Sequence, residues 1–233
     1  LLTVLAVVLI ITAGGLISLR ILVDRSFEAS GGLEAVNEKN LGEKITQEYE
    51  IEDFSQLKVT GGWSVSLQSR DSYKLSVTFP KNLQDHVEVR HTGQALVLGT
   101  SGIVDFKGAH FKAEVQMPQL SGLRSEGGMS AHLKGFTGDE LRIESGGGVQ
   151  ISADNCVYTR LELVLNGGVQ GNLQDLKAEN ININGNGAVD LNLHMNGGSL
   201  TGEVNGAANI KIRGNMMKNT LQIHGVSNVE YIN

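Results

Sequence analysis

The sequence predicts an all-β protein: a parallel β-solenoid, or β-helix-like stack, of twenty-residue rungs, preceded by an N-terminal transmembrane helix. Three observations predict it: a twenty-residue repeat, alternation of apolar and polar residues within each repeat, and 30 glycines beside 2 prolines among 233 residues. Glycine at this abundance without proline indicates many tight backbone corners. An antiparallel sandwich is the alternative, but it does not require the same side chains at one fixed period.

Residues 1–23 are predicted to be a membrane anchor. The first 19 residues, LLTVLAVVLIITAGGLISL, carry no charge, and a helix of that length comes close to a hydrocarbon thickness of about 30 Å. A signal peptide cleaved after Ala13 is the alternative. Arg20 and Arg25 follow the span, which favours a cytoplasmic body under the positive-inside rule. We nevertheless expect an extracytoplasmic body, periplasmic or at the cell surface, because the chain starts without methionine and basic residues ahead of Leu1 would change the balance.

Residues 24–48 are predicted to form an acidic stalk or linker. Between Asp24 and Asp53 there are nine acidic and three basic residues, whereas the chain from Phe54 onward has sixteen acidic and fifteen basic residues. A nearly neutral body lacks the basic face that neutralises phosphates, so nucleic acid is excluded as the expected partner.

Residues 49–233 are predicted to form the solenoid head, with regular repeats over residues 123–233. One apolar column keeps the twenty-residue phase at Met129, Val149, Val169, Val189 and Val229. Another precedes it by six positions, at Leu123, Ile143, Leu163, Ile183 and Ile223. The rung near residue 200 is displaced by one position, which indicates a bulge or a shortened turn.

Each regular rung consists of two predicted strands that meet at glycines. In LRIE, residues 141–144, the alternation places Leu141 and Ile143 on one face and their polar neighbours on the other. The glycines stand where the chain turns a corner without a Cβ clash. Cys156 shares its position in the repeat with Phe136, Leu176 and Met216, which predicts a buried core thiol rather than a nucleophile.

Residues 49–122 repeat the pattern less regularly and are predicted to start or cap the stack. LKVTGGWSVSL, residues 57–67, has the same strand, glycine pair and strand. Further alternating strands are predicted at residues 73–79, 87–90 and 95–98. Such a cap would cover a strand edge that is otherwise unpaired, and Trp63 is expected to pack in it.

Two segments, FSQLKVTGGWSVSL (residues 54–67) and VQMPQLSGLRSEGG (residues 115–128), precede the glycine-corner repeats. Together they resemble the bacterial putative auto-transporter adhesin family, also called the head GIN domain. The resemblance covers roughly residues 49–233, and its most specific part is the MPQL step at residues 117–120. It implies an envelope or surface-exposed β-repeat protein, and it brings no catalytic set to carry over.

No residue pattern predicts a catalytic, cofactor or metal site. The six histidines lack the spacing of a metal site. A calcium ladder would need a nonapeptide motif rather than the longer repeat seen here. A polysaccharide-active β-helix enzyme, the weaker alternative, would need clustered acids on one outer face. The outward columns are instead mixed and rich in amides, which predicts stacked amide ladders along the solenoid.

These polar columns give the candidate binding face, namely Gln150, Gln170, Asp190, Asn172 and Asn192. We therefore predict a membrane-anchored, extracytoplasmic binding or structural module, adhesin-like and non-catalytic. Its expected partners are the lipid bilayer, through residues 1–23, and an envelope protein or glycan. The alternative is a periplasmic envelope scaffold or sensor held at the inner membrane.

Overall fold

The computed structural model describes residues 42–101 and 110–232. The predicted anchor and residues 24–41 of the predicted linker lie outside these ranges. Among the described residues, no helix is both long enough and apolar enough to cross a membrane.

The described chain is built from eleven strands and one short 3₁₀ helix. The first part contains β1 (Lys44–Tyr49), β2 (Gln56–Ser69), β3 (Lys74–Pro80), the 3₁₀ helix (Lys81–His86), β4 (Val87–Thr92), β5 (Ala95–Thr100) and β6 (Phe111–Met117). The second part contains β7 (Gly122–Lys134), β8 (Thr137–Asp154), β9 (Cys156–Asn196), β10 (Ser199–Asn215) and β11 (Lys218–Ile232).

The strands from β2 and β7 onward stack in parallel, which confirms the predicted parallel β-solenoid. β2 pairs with β7, β7 with β8, β8 with β9, β9 with β10 and β10 with β11. In the middle of the stack the register has the predicted twenty-residue period, since Met129 lies beside Val149 and Val149 beside Val169. Long strands bend at their glycines, so the corners fall within β7 to β11 rather than between strands.

The last two steps of the stack are each one position shorter than the middle steps, and this corrects the predicted C-terminal columns. Ile210 lies beside Leu191 and Val229 lies beside Ile210. The twenty-residue period predicts Val229 in the column of Val189. In the structure Val189 lies beside Ala208 of β10, and Ala208 lies beside Ser227, so Ser227 occupies that column. A total shift of two positions keeps every inward side chain inward, so alternation alone does not reveal it.

The displacement predicted near residue 200 is a shortened turn. β9 ends at Asn196 and β10 begins at Ser199, and between them Gly197 and Gly198 have φ of 90° and 65°. Only glycine adopts such angles freely, and the step across this turn, from Ile181 to Leu200, is one position shorter than the twenty-residue period.

The inward side chains form a continuous apolar core along the stack. Val149, Val169 and Val189 are buried at 3–4% exposure, and neighbouring columns are equally covered. Cys156 is buried, and its burial raises the pKa of the thiol, so the predicted core role is confirmed. Of its predicted column, Phe136 and Leu176 are buried but Met216 is only half-buried.

The first part of the described chain closes one end of the stack. β5 pairs with the first half of β2 and β6 with the second half, while β4, β3 and β1 add antiparallel strands outside them. Trp63 is buried against Phe111, with ring centroids 5.3 Å apart, and its indole N–H donates to the Thr60 carbonyl at 3.1 Å. β1 also includes residues 44–48, which the sequence had assigned to the linker.

Candidate binding groove

The repeated glycine corner exists because each rung approaches the backbone of the one before it. A Cβ at Gly167 would lie 2.5 Å from the carbonyl oxygen of Gly147, and one at Gly187 would lie 2.2 Å from that of Gly167. Gly167 and Gly187 also have φ of 111° and 131°, which L side chains rarely adopt. The corner column runs through Gly61, Gly127, Gly147, Gly167, Gly187, Gly206 and Gly225.

The residue after each corner glycine is small and exposed, and this column needs no glycine. A Cβ at Gly148 or Gly168 would have no atom within 4 Å. Later rungs place side chains at the same point in the repeat. The small-residue column consists of Gly62, Gly128, Gly148, Gly168, Ala188, Ala207 and Val226.

A polar column follows, on the third residue after each corner glycine. Gln150 Nε2 donates to Gln170 Oε1 at 3.4 Å, which is the predicted ladder contact. Asn209 Nδ2 donates to Asp190 Oδ1, and Asn228 Nδ2 donates to Asn209 Oδ1, both at 3.0 Å. These hydrogen bonds link side chains of the polar column in two groups, Gln150 with Gln170 and Asp190 with Asn209 and Asn228.

Together the small-residue column and the polar column line an open groove of about 860 Å³ that crosses β7 to β11. We call it the ladder groove. Its polar residues are Ser130, Gln150, Gln170, Asp190, Asn209, Ser227 and Asn228. Among the described residues that line it, there is one carboxylate, that of Asp190, and no lysine or arginine. The groove is therefore nearly uncharged and rich in groups that both donate and accept hydrogen bonds.

The ladder groove contains three of the five predicted site residues, Gln150, Gln170 and Asp190. Asn172 and Asn192 lie two positions further along their strands and are not part of its lining. Asn209 and Asn228 are absent from the predicted face, because the shortened rungs take them out of the twenty-residue phase. Counting three positions from each corner glycine would have found both.

The polar face N-terminal to the corners is ionic in the early rungs. Lys58 pairs with Glu126 at 3.1 Å, and Arg124 pairs with Glu126 at 2.9 Å and with Glu144 at 3.0 Å. Arg142 continues the network by pairing with Glu144 and Glu162. Further along, amides replace these charges, as where Asn186 Nδ2 donates to Asn166 Oδ1 at 3.2 Å.

Glu126, which pairs with two cations in this network, is not suited to be the general acid of a glycosidase. Hydrogen bonds from Lys58 and then Arg124 lower the pKa of the Glu126 carboxyl, whereas a general acid needs a raised one. The partners Glu162 and Glu144 raise the pKa of Arg142 and keep it charged. These carboxylates thus pair with cations on neighbouring strands, as in a structural ladder.

His132 joins Ser152 and Asp154 in a serine–histidine–aspartate order. Its Nδ1 lies 2.9 Å from Ser152 Oγ and its Nε2 lies 3.3 Å from Asp154 Oδ2. The strands on both sides are paired in the sheet, so their N–H groups are not presented to a reacting carbonyl as an oxyanion hole.

The part of the chain that the structure describes contains no group of three or more histidine, cysteine, aspartate or glutamate residues placed to hold a metal.

Solved structures with the same fold come from several bacteria. A crystal structure of a putative adhesin from Bacteroides fragilis is 18% identical, with a TM-score of 0.60 over 82% of this chain and 97% of that chain. A putative adhesin from Parabacteroides distasonis is 16% identical, with a TM-score of 0.50 over 82% and 98% of the two chains. No curated protein matches the sequence.

The family described as putative auto-transporter adhesin, head GIN domain, matches residues 53–174, from the cap through the first regular rungs. That match covers more than half of the chain and includes both segments on which the resemblance was based. The chain belongs to the putative auto-transporter adhesin, head GIN domain, family.

Proposed function

We propose that the protein is a membrane-anchored, extracytoplasmic and non-catalytic binding module whose ladder groove holds an extended, uncharged, hydroxyl-rich polymer, such as a glycan. The observation that carries the proposal is the repetition of one groove chemistry in consecutive rungs. Parallel rungs lie about 4.8 Å apart. A polymer lying along the groove would therefore meet an amide or hydroxyl at regular intervals.

The chemistry of the polar column supports an uncharged ligand. Amide side chains offer both donors and acceptors, and sugar hydroxyls do the same. The single carboxylate of the described lining, on Asp190, already accepts a hydrogen bond from Asn209. A groove whose described lining lacks lysine and arginine does not favour a phosphate or sulfate polymer.

The shape of the groove supports a polymer more than a small molecule. It is open along its length, and its small-residue column leaves backbone exposed at Gly148 and Gly168. None of the described lining residues is aromatic, so each rung would contribute modestly and the affinity would come from many rungs acting together. The family description supports an adhesin-like role and, with it, an extracytoplasmic body.

Binding is tested with the full-length chain in detergent micelles against soluble dextran, laminarin and galactomannan, with alginate as the charged comparison. We expect retention by at least one neutral polysaccharide. Gly168→Gln should weaken it by about tenfold or more, because the new side chain occupies the groove. Gly62→Gln is the matched control: it lies in the same column, also with no atom within 4 Å of the added Cβ, but outside the groove lining. Binding of alginate alone, or equal effects of the two variants, would overturn the proposal.

The location of the head is tested by protease treatment of intact cells carrying an epitope tag after Asn233. Loss of the tag on intact cells would place the head at the surface, where adhesion is the expected role. Protection until the outer layers are permeabilised would favour the alternative, a periplasmic scaffold or sensor. Protection in osmotically stabilised spheroplasts would contradict an extracytoplasmic body.

A further inference from the structure

The two ends of the solenoid stack differ in how their strand edges are covered. At one end β5 and β6 both lie against β2, with antiparallel strands beyond them. At the other end, within residues 42–101 and 110–232, β11 pairs only with β10. Among the described residues no strand pairs with the outer edge of β11, whose backbone groups therefore remain available to another strand, except that the Leu221 N–H donates to Asn219 Oδ1 at 3.0 Å.

This edge also exposes apolar side chains. Val226 is 83% exposed and Tyr231 is 52% exposed, and Leu221 and Val229, which point along the core columns, are only half-buried. In the preceding rung Ile210 and Ile212, which lie beside Val229 and Tyr231, are fully buried. An exposed strand edge with apolar side chains is a site at which another strand adds.

We propose that β11 is a dimerisation edge, on which the β11 of a second copy of this chain pairs in antiparallel fashion about a two-fold axis. The symmetry of the strand supports this two-fold pairing. β11 bends at Gly225, and its two arms, residues 218–224 and 226–232, are equal in length. A two-fold axis through that corner maps the bent strand onto itself, as an isologous contact requires.

The sequence of β11 fits this register. With the axis at Gly225, Leu221 of one copy lies opposite Val229 of the other, so the half-buried core side chains meet each other. Glu230 lies opposite Thr220 and diagonal to Lys218, so opposite charges approach and no like charges face each other. Pairing residues equally distant from the corner also keeps inward side chains opposite inward ones.

Charge exchange at Val226 tests the dimer by sedimentation in the absence of polysaccharide, because Val226 also lines the ladder groove. Val226 sits next to the axis and is exposed, so the fold should tolerate substitution there. Sedimentation of the full-length chain in detergent should show a dimer. Val226→Glu and Val226→Lys alone should each weaken it by about tenfold or more, because like charges then meet across the axis. A mixture of the two variants should restore the dimer.

Thiol cross-linking gives a second measurement. Val226→Cys should cross-link between copies with a short bismaleimide, whereas the exposed control Val157→Cys should not, and the native Cys156 is buried. A monomer at all concentrations would overturn the proposal, as would a dimer that both charged variants leave unchanged. The latter result would place association elsewhere, for example in residues 1–23. Association is measured without polysaccharide, whereas the proposed function is measured by polysaccharide retention on chains that keep Val226, so failure of this inference is distinguishable from failure of the proposed function.

Discussion

Gly167 and Gly168 are neighbours in the chain, yet their surroundings in the stack differ. At Gly167 the backbone has φ of 111° and an added Cβ would lie 2.5 Å from the Gly147 carbonyl oxygen. At Gly168 the added Cβ would have no atom within 4 Å. The first glycine is needed by the fold, whereas the second leaves space on the surface. Val169, the next residue, is buried in the core, so three consecutive residues serve the corner, the groove and the core.

The largest effect is expected at the core position. Val169→Asp should lower the free energy of unfolding by about 4–5 kcal/mol, because it buries a carboxylate without a partner among valines of the rungs on both sides. The measurement is urea unfolding or the melting temperature of the full-length chain. Val157→Asp, at a valine that is 43% exposed, is the control and should change stability by less than about 0.5 kcal/mol. An unchanged melting temperature for Val169→Asp would contradict the register of the stack.

The corner position should give the next largest effect. Gly167→Ala should lower the free energy of unfolding by about 3 kcal/mol, because the chain must either strain φ or move two rungs apart. The same urea titration measures it. A change below about 1 kcal/mol would mean that the rungs separate easily at the corner, and the explanation given for the glycine repeat would then be wrong.

Much of this arrangement was predictable because rungs of a parallel stack repeat the same environment. The alternation of Leu141 and Ile143 fixed the inward face, and the column of Cys156 placed that thiol in the core. The sequence could not distinguish Gly167 from Gly168, because φ at the corner is set by contact with the preceding rung rather than by local residues. A glycine pair in the sequence gives no indication of which member touches the next backbone.

The candidate groove was predicted only where the repeat kept its twenty-residue period. Gln150, Gln170 and Asp190 were found, whereas Asn209 and Asn228 were missed because they follow the two shortened steps of the stack. Alternation has a period of two, so a total shift of two positions leaves the pattern of buried residues intact. Glycine corners are a better reference than hydrophobic columns, because each one from Gly127 onward marks a contact with the preceding backbone that leaves no room for a Cβ.

A smaller effect is expected on the core side of the corner. Ser145 is buried, and its Oγ has no hydrogen-bond partner within residues 42–101 and 110–232. Ser125, one rung earlier in the same column, donates from its Oγ to the Gly127 carbonyl at 3.5 Å. Ser145→Ala should raise the free energy of unfolding by about 1 kcal/mol, because it removes an unpaired buried hydroxyl. Ser125→Ala is the matched control and should give little or no gain. Destabilisation by Ser145→Ala would show that its hydroxyl has a partner in solution.

The smallest effect, opposite in sign to that at the corner, is expected at the groove position. Gly168→Ala should raise the free energy of unfolding by about 0.4–1 kcal/mol, because alanine restricts the unfolded chain and its Cβ meets nothing in the folded one. Urea unfolding beside Gly167→Ala measures the contrast between adjacent residues. If both substitutions destabilise the chain equally, the small-residue column is part of the corner. If only Gly167→Ala does, the absence of side chains at Gly148 and Gly168 is not required by folding, and a ligand that occupies the groove becomes the reason to retain it.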